Sequence, residues 1–197
     1  MAPSNEDELQ DMMFTATFQP HPVAIRYPRG NAEGVEVKEQ PVVLEIGKAE
    51  VIRNFGNQPG ARKVALFGLG PMLRMAREAA EELATRGVDV AVINPRFFKP
   101  IDKAVHEFFG EGADVIATLE DHVAMGGYGS AVLECLNEAG IATPVVRLAW
   151  PDEFIEHAST VEYLRNKHGL TVPELVRRIE AALSPGLRSS LPQMVRS

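Results

Sequence analysis

Apolar and polar positions alternate along this chain in two rhythms, and the switches between them set out the elements. Leu9, Met12, Met13 and Ala16 recur at helical spacing behind Ser4-Asn-Glu-Asp7, which reads as an N-cap followed by acids in the first turn. Pro20 and Pro22 cannot continue a helix, so this one is expected to end near Gln19. Pro22–Tyr27 reads as a short strand, and Asn31–Gln40 as an acidic, polar connection between Gly30 and the next apolar run. Val42–Arg53 is β-like and is expected to supply one or two edge strands, followed by a turn over Asn54–Gly60.

From Lys63 the alternation becomes regular. An apolar strand ends in Gly68-Leu-Gly70, and Pro71 suits the first helical position. Met72, Met75, Ala76, Ala79, Ala80 and Leu83 then mark one face of a helix closed by Gly87. Strands are expected at Val88–Ile93, Asp114–Leu119 and Pro144–Leu148, with helices at Ile101–Phe109 and Tyr128–Ala139 between them. Ser159-x-x-Glu162 and Thr171-x-x-Glu174 read as capping boxes, the second opening a helix with Leu175, Val176, Ile179 and Leu183 on one face. Repeated β-α alternation over residues 42–184 predicts an α/β fold with a doubly wound, mostly parallel sheet. Residues 185–197, rich in Pro, Ser and Arg, are expected to form a disordered tail.

Composition narrows the function classes. A net charge of −7 argues against nucleic-acid binding, and no apolar run approaches the ~20 residues of a membrane span. One cysteine, Cys135, excludes an internal disulfide and a thiolate metal cluster, and fits a reducing, cytoplasmic setting. It lies in an apolar helical stretch and reads as a packing thiol.

Three places could carry chemistry. Arg26 and Arg29 follow the first strand, where Pro28 and Gly30 turn the chain; a guanidinium there suits bidentate binding of phosphate or carboxylate, or else an interface ion pair. Phe67-Gly-Leu-Gly-Pro71 has the geography of a phosphate-binding turn but not the full glycine fingerprint of a dinucleotide site. Glu120-Asp-His-Val-Ala-Met-Gly-Gly-Tyr-Gly-Ser130 is the richest loop. Its amides suit an anion and its Glu120, Asp121 and His122 acid-base work, yet all of them, with Gly126 and Gly127, could equally satisfy helix ends and serve a domain or subunit interface. No two histidines stand at i,i+4, so a metal site is not expected.

Six segments in order carry a resemblance. They are Ala2–Leu9, Ile25-Arg-Tyr-Pro-Arg-Gly-Asn31, Ile46-Gly-Lys48, Phe97-Phe-Lys-Pro-Ile-Asp102, Met125-Gly-Gly-Tyr-Gly-Ser130 and Leu148-Ala-Trp-Pro-Asp-Glu-Phe-Ile-Glu-His157. Together they resemble the last third of the 1-deoxy-D-xylulose-5-phosphate synthase family, within the transketolase superfamily. The resemblance implies a transferase that depends on thiamine diphosphate and Mg2+. It decarboxylates pyruvate and passes the two-carbon unit to glyceraldehyde 3-phosphate, toward isoprenoids, thiamine and pyridoxal.

It also implies that residues 1–31 are the terminal helix and strand of a pyrimidine-binding domain. Residues 32–41 would be a linker and residues 42–184 a transketolase C-terminal-like domain. The resemblance assigns binding of the acceptor's phosphate to Arg29, with Arg26 as second choice. The family's diphosphate motif and its pyrimidine-binding glutamate segment do not occur in this sequence. The chain is therefore expected to be a section that binds no cofactor, and catalyses nothing, without its N-terminal and pyrimidine-binding domains. The family forms homodimers. The alternative is a free-standing assembly or regulatory module with the same fold.

Overall fold

The structure, a computed structural model, describes residues 1–157 and 159–184, so the expected disordered tail at 185–197 lies outside the described residues. Helix α1 spans Glu6–Thr17 and strand β1 Glu50–Arg53. There follow β2 (Lys63–Gly68), α2 (Met72–Thr85), β3 (Asp89–Asn94), α3 (Lys103–Gly112), β4 (Val115–Val123), α4 (Tyr128–Glu138) and β5 (Val145–Trp150). Helices α5 (Val161–His168) and α6 (Val172–Leu183) complete it. The sheet order is β1-β3-β2-β4-β5, with β1 antiparallel to β3 and every other pair parallel.

Strand periodicity sorts the core into two layers. Val64, Leu66, Val90, Val92, Val115 and Ala117 face α2 and α6, whose Ala76, Leu83, Leu175 and Ile179 are buried against them. The intervening Ala65, Phe67, Ala91, Ile93 and Ile116 face α3 and α4, where Phe109, Val132 and Leu136 close the other side. Both faces are covered, and this is why the central strands read as continuous apolar runs. Gly68 is needed for close approach: a Cβ there would stand 2.6 Å from the Leu73 Cα. Only glycine lets α2 start so near the end of β2.

The first 49 residues are built differently. Helix α1 is capped by Asn5, not Ser4; the Asn5 side chain accepts from the Glu8 amide. Pro22–Tyr27, read from sequence as a strand, has no ladder partner among the described residues. Its backbone is tied to Met1, whose ammonium donates to the Ala24 carbonyl at 2.8 Å and whose carbonyl accepts from the Arg26 amide at 2.9 Å. A strand requires a neighbouring ladder, and among the described residues none lies alongside. Residues 42–49 likewise form no strand, which leaves β1 as the single edge strand of this stretch.

Met1, Met12, Leu44 and Phe97 make a small third core that seats α1 on the sheet. Arg96 is the hub of that contact. It adopts φ +57°, donates from Nε to Glu8 at 2.7 Å and from Nη2 to Glu50 at 2.8 Å, and its carbonyl accepts from the Ala2 amide. Buried Asn94 adds a bond to Glu8 at 2.8 Å.

Candidate functional site

In an open parallel sheet the ligand crevice lies outside the carboxyl ends of the strands, where the winding direction reverses. The chain winds from β2 to β3 on one side and then returns to β4 on the other, so the reversal falls between β2 and β4. A cleft of about 440 Å³ opens there, lined by Arg26, Phe98, Lys99, Glu120, His122 and the 126–134 segment among others.

Glu120 dominates the cleft. It sits at the far end of β4, which runs four residues beyond the Leu119 expected from sequence, and it is buried. Its Oε2 accepts from the Tyr128 amide at 2.7 Å and its Oε1 from the Gly129 amide at 2.8 Å. A carboxylate at a helix N-terminus satisfies free amides and complements the dipole. Burial raises the Glu120 pKa, opposed by those two amides and by the fields of His122 and Arg26. The glycines follow from this contact. A Cβ on Gly127 would lie 2.4 Å from Glu120 Oε2, and one on Gly129 would lie 2.7 Å from Thr118 Oγ1. The Tyr128 and Gly129 amides, which an external anion would need, are thus already occupied by the chain's own carboxylate.

The second phosphate-like turn is covered as well. Ala2 is buried and packs beside Gly70, whose φ is +61°. The Met72 and Leu73 amides donate back to Leu69 and Gly70, at 3.4 and 3.0 Å. The glycines of Phe67–Pro71 serve a tight strand-to-helix turn beneath the N-terminus.

Behind the cleft lies a buried polar pair absent from the sequence reading. His106 Nδ1 is 2.6 Å from the Asp102 carbonyl, and its Nε2 is 2.6 Å from the Tyr128 hydroxyl. A carbonyl only accepts, so Nδ1 carries the proton and Tyr128 donates to Nε2. Burial lowers the His106 pKa and raises that of Tyr128, which keeps both neutral. His106 stacks on Phe67 with centroids 4.7 Å apart. A lone histidine on an apolar helix carries no signal for this arrangement; the partner tyrosine lies 22 positions away.

The structure brings Arg26, Glu120, His122, Gly126 and Gly127 to one cleft and leaves Arg29 outside it. Arg26 is half-buried, 5.9 Å above the Phe98 ring. Arg29 is exposed in the turn that follows. His122 is exposed, and its Nδ1 lies 3.2 Å from the Val123 carbonyl. Asp121 turns away, accepting from Trp150 Nε1 at 2.6 Å and facing Arg165 at 3.4 Å.

The donor set does not fit thiamine diphosphate with its Mg2+. Among the described residues no three His, Cys, Asp or Glu side chains gather where a metal could be held. The amides best placed for a diphosphate are filled by Glu120. What the arrangement does is close a helix end, cover a turn and leave an open, aromatic-floored cleft between the arm and the sheet.

Comparison with known proteins agrees with this architecture. Residues 47–175 match the family described as transketolase, C-terminal domain. A 1-deoxy-D-xylulose-5-phosphate synthase of Methylacidiphilum infernorum is 51% identical over 172 residues, 87% of this chain and 26% of that protein. The synthase of Acidobacterium capsulatum is 47% identical over 196 residues, 100% of this chain and 30% of that protein. Among solved structures, a split-gene transketolase described as an inactive β4 tetramer superposes with a TM-score of 0.79 at 30% identity. That match covers 92% of this chain and 56% of the other. The chain therefore spans between a quarter and a third of the curated relatives' length.

Proposed function

Because the chain belongs to the transketolase family through its C-terminal domain, we propose that it works as the C-terminal section of a thiamine-diphosphate-dependent transferase of the 1-deoxy-D-xylulose-5-phosphate synthase type. In this reading the whole enzyme joins pyruvate to glyceraldehyde 3-phosphate with loss of CO2. Thiamine diphosphate supplies the carbanion stabilisation when bound, and polypeptide outside this chain holds it together with Mg2+. The chain alone turns nothing over.

The observation that carries the reading is the match along all of this chain to one part of a synthase. It is joined to two anion-like turns already occupied by the chain itself, the α4 amides by Glu120 and the Gly70 turn by Ala2. Residues 1–31 then act as a docking arm. Pro22–Tyr27 is extended and lacks a neighbouring strand among the described residues, so it suits addition to the sheet of a pyrimidine-binding domain. In this reading Arg29, exposed at the turn beyond it, binds the acceptor's phosphate as a bidentate cation, with Arg26 the second candidate. Arg26, seated over Phe98, lines the cleft beneath. The assembly is a homodimer in the cytoplasm. Among the described residues no helix is long and apolar enough to cross a membrane.

The test is complementation. The chain is mixed with a separately expressed polypeptide spanning the remainder of a synthase relative, and pyruvate-dependent CO2 release is followed with glyceraldehyde 3-phosphate. Turnover is expected only in the mixture. In that mixture Arg29→Ala raises KM for glyceraldehyde 3-phosphate more than KM for pyruvate. Turnover by the chain alone, or a formed complex without turnover, contradicts the reading. A free-standing assembly or regulatory module is the second reading, favoured by the likeness to a split-gene transketolase described as an inactive β4 tetramer. Stable self-association with no affinity for the complementing polypeptide selects it.

A further inference from the structure

The polar stretch between the arm and the sheet has the composition of a loose linker, yet it is bound along its length to α1. Three consecutive amides, Glu33, Gly34 and Val35, donate to the Glu6 carboxylate at 3.1, 2.6 and 2.8 Å. The Lys38 amide donates to Asp7 at 2.9 Å, and its carbonyl accepts from Gln10 at 3.0 Å. The Val42 amide donates to Asp11 at 2.8 Å and the Leu44 amide to Thr15 at 2.8 Å. Lys38 Nζ bridges Asp7 and Asp11 at 2.6 and 2.7 Å.

Asp7, Asp11 and Thr15 stand four apart, so they share one helical face and step along the axis by about 6 Å each. An extended chain covers that distance in about two residues, and the partners at 42 and 44 fit that pace, while Lys38 to Val42 takes four residues through the bend at 39–40. Side chains of α1 thus do for residues 33–44 what a neighbouring strand does in a sheet: they take the backbone donors one after another and fix the path.

We propose that α1 is a template helix, with Glu6, Asp7, Asp11 and Thr15 as positioning residues that pre-form the docking arm before any partner is present. Helix α1 is itself fixed to the sheet by Glu8 through Asn94 and Arg96. Residues 18–32, which carry Arg26 and Arg29, therefore span two anchored ends instead of hanging from one. Backbone freedom removed in the free chain need not be removed on association, so the template favours docking by preorganisation. This inference rests on the reading of residues 1–31 as a docking arm, but it concerns the free chain and is tested there without any partner.

The experiment is hydrogen exchange with mass spectrometry on the whole chain at fixed pH and temperature, with trypsin cleavage after Arg26, Arg29 and Lys38 as a second readout. In the unaltered chain the amides of residues 33–35, 38, 42 and 44 exchange at least about tenfold slower than free peptide. Glu6→Ala and Asp11→Ala, which remove the acceptors, abolish that protection at residues 33–35 and at residue 42 respectively, and together speed cleavage about tenfold, while β2, β3 and β4 stay protected within about twofold. Thr15→Val, which keeps the volume and removes the acceptor, does the same for Leu44 alone. Two results overturn the template: no protection over residues 33–44 in the unaltered chain, or protection that survives loss of Glu6 and Asp11 acceptors. Loss of protection in the arm and the sheet together overturns it too, because α1 would then be a general stabiliser. Failure of complementation with wild-type protein, by contrast, counts against the docking reading and leaves the exchange result standing.

Discussion

The N-terminal region (residues 1–49, the docking arm with the stretch that joins it to the sheet) and the sheet domain (residues 50–184) reach order by opposite means. The sheet is held by ladder hydrogen bonds and two apolar layers, with its central strands buried on both faces. The N-terminal region gives three buried apolar residues, Met1, Met12 and Leu44, to a cluster completed by Phe97 of the sheet domain, and its backbone is satisfied mainly by acidic and hydroxyl side chains of one helix. Apolar burial is cooperative and spread over many residues, whereas side-chain clamps are discrete and can be released one at a time. The sheet therefore suits a permanent scaffold, and the arm suits a surface whose geometry must be set for another body.

The sharpest way to break the contrast is at the scaffold. Gly68→Ala drives a Cβ into the Leu73 backbone, and should cost about 3 kcal/mol of global stability, read as a lower midpoint in urea with both regions unfolding together. Glu8→Ala comes next. It removes the acceptor shared by Ser4, Asn94 and Arg96, and is expected to weaken docking of α1 by about 2–3 kcal/mol. Arm amides should then exchange faster while the urea midpoint of the sheet barely moves; an equal loss in both would erase the distinction between the regions. Glu120→Ala strips the α4 amides of their acceptor and should cost about 1–2 kcal/mol, as loss of a helix cap does. The effect should localise to α4 and the 124–130 loop by exchange, with arm protection unchanged.

Acid gives the smallest and most selective separation. Burial lowers the folded-state pKa of His106 below its ordinary 6.5. Its contribution is thus present above 6.5 and is lost as pH falls through the lowered value. In the arm, backbone amides hold Glu6 below its ordinary 4.5, and Lys38 holds Asp7 below 3.8. Their contributions are present above those ordinary values and fade only in stronger acid. Melting curves between pH 7 and 5 should thus show weakening of the sheet domain that His106→Leu flattens, while protection in the arm, taken relative to free peptide at each pH, stays constant until the carboxylates titrate.

Much of the sheet domain was legible in the sequence because local signals agreed with the fold. Gly87 and Gly140 stop their helices in left-handed backbone, and the apolar runs at 63–68 and 89–94 match strands buried on both faces. The end of β4 was misjudged because Glu120 looks like loop in a sequence; its burial depends on the α4 amides that receive it. The same contact explains why the glycine-rich segment resembled an anion site: the geometry suits an anion, and the chain supplies one.

The arm was least legible. Val23 and Ile25 gave Pro22–Tyr27 a strand's composition, but a strand needs a partner that composition does not supply. Nor does the acidity of α1 disclose that Glu6, Asp7 and Asp11 each take amides about 30 positions away. Of the two arginines, Arg26 stands in the cleft, and Arg29, the residue chosen for the phosphate, faces solvent.

The claim on which the account turns is that the reaction chemistry resides outside these residues. Calorimetric titration of the purified chain with thiamine diphosphate in excess Mg2+ addresses it directly. The account predicts heats no larger than dilution at every cofactor concentration; a saturable isotherm with micromolar affinity would contradict it.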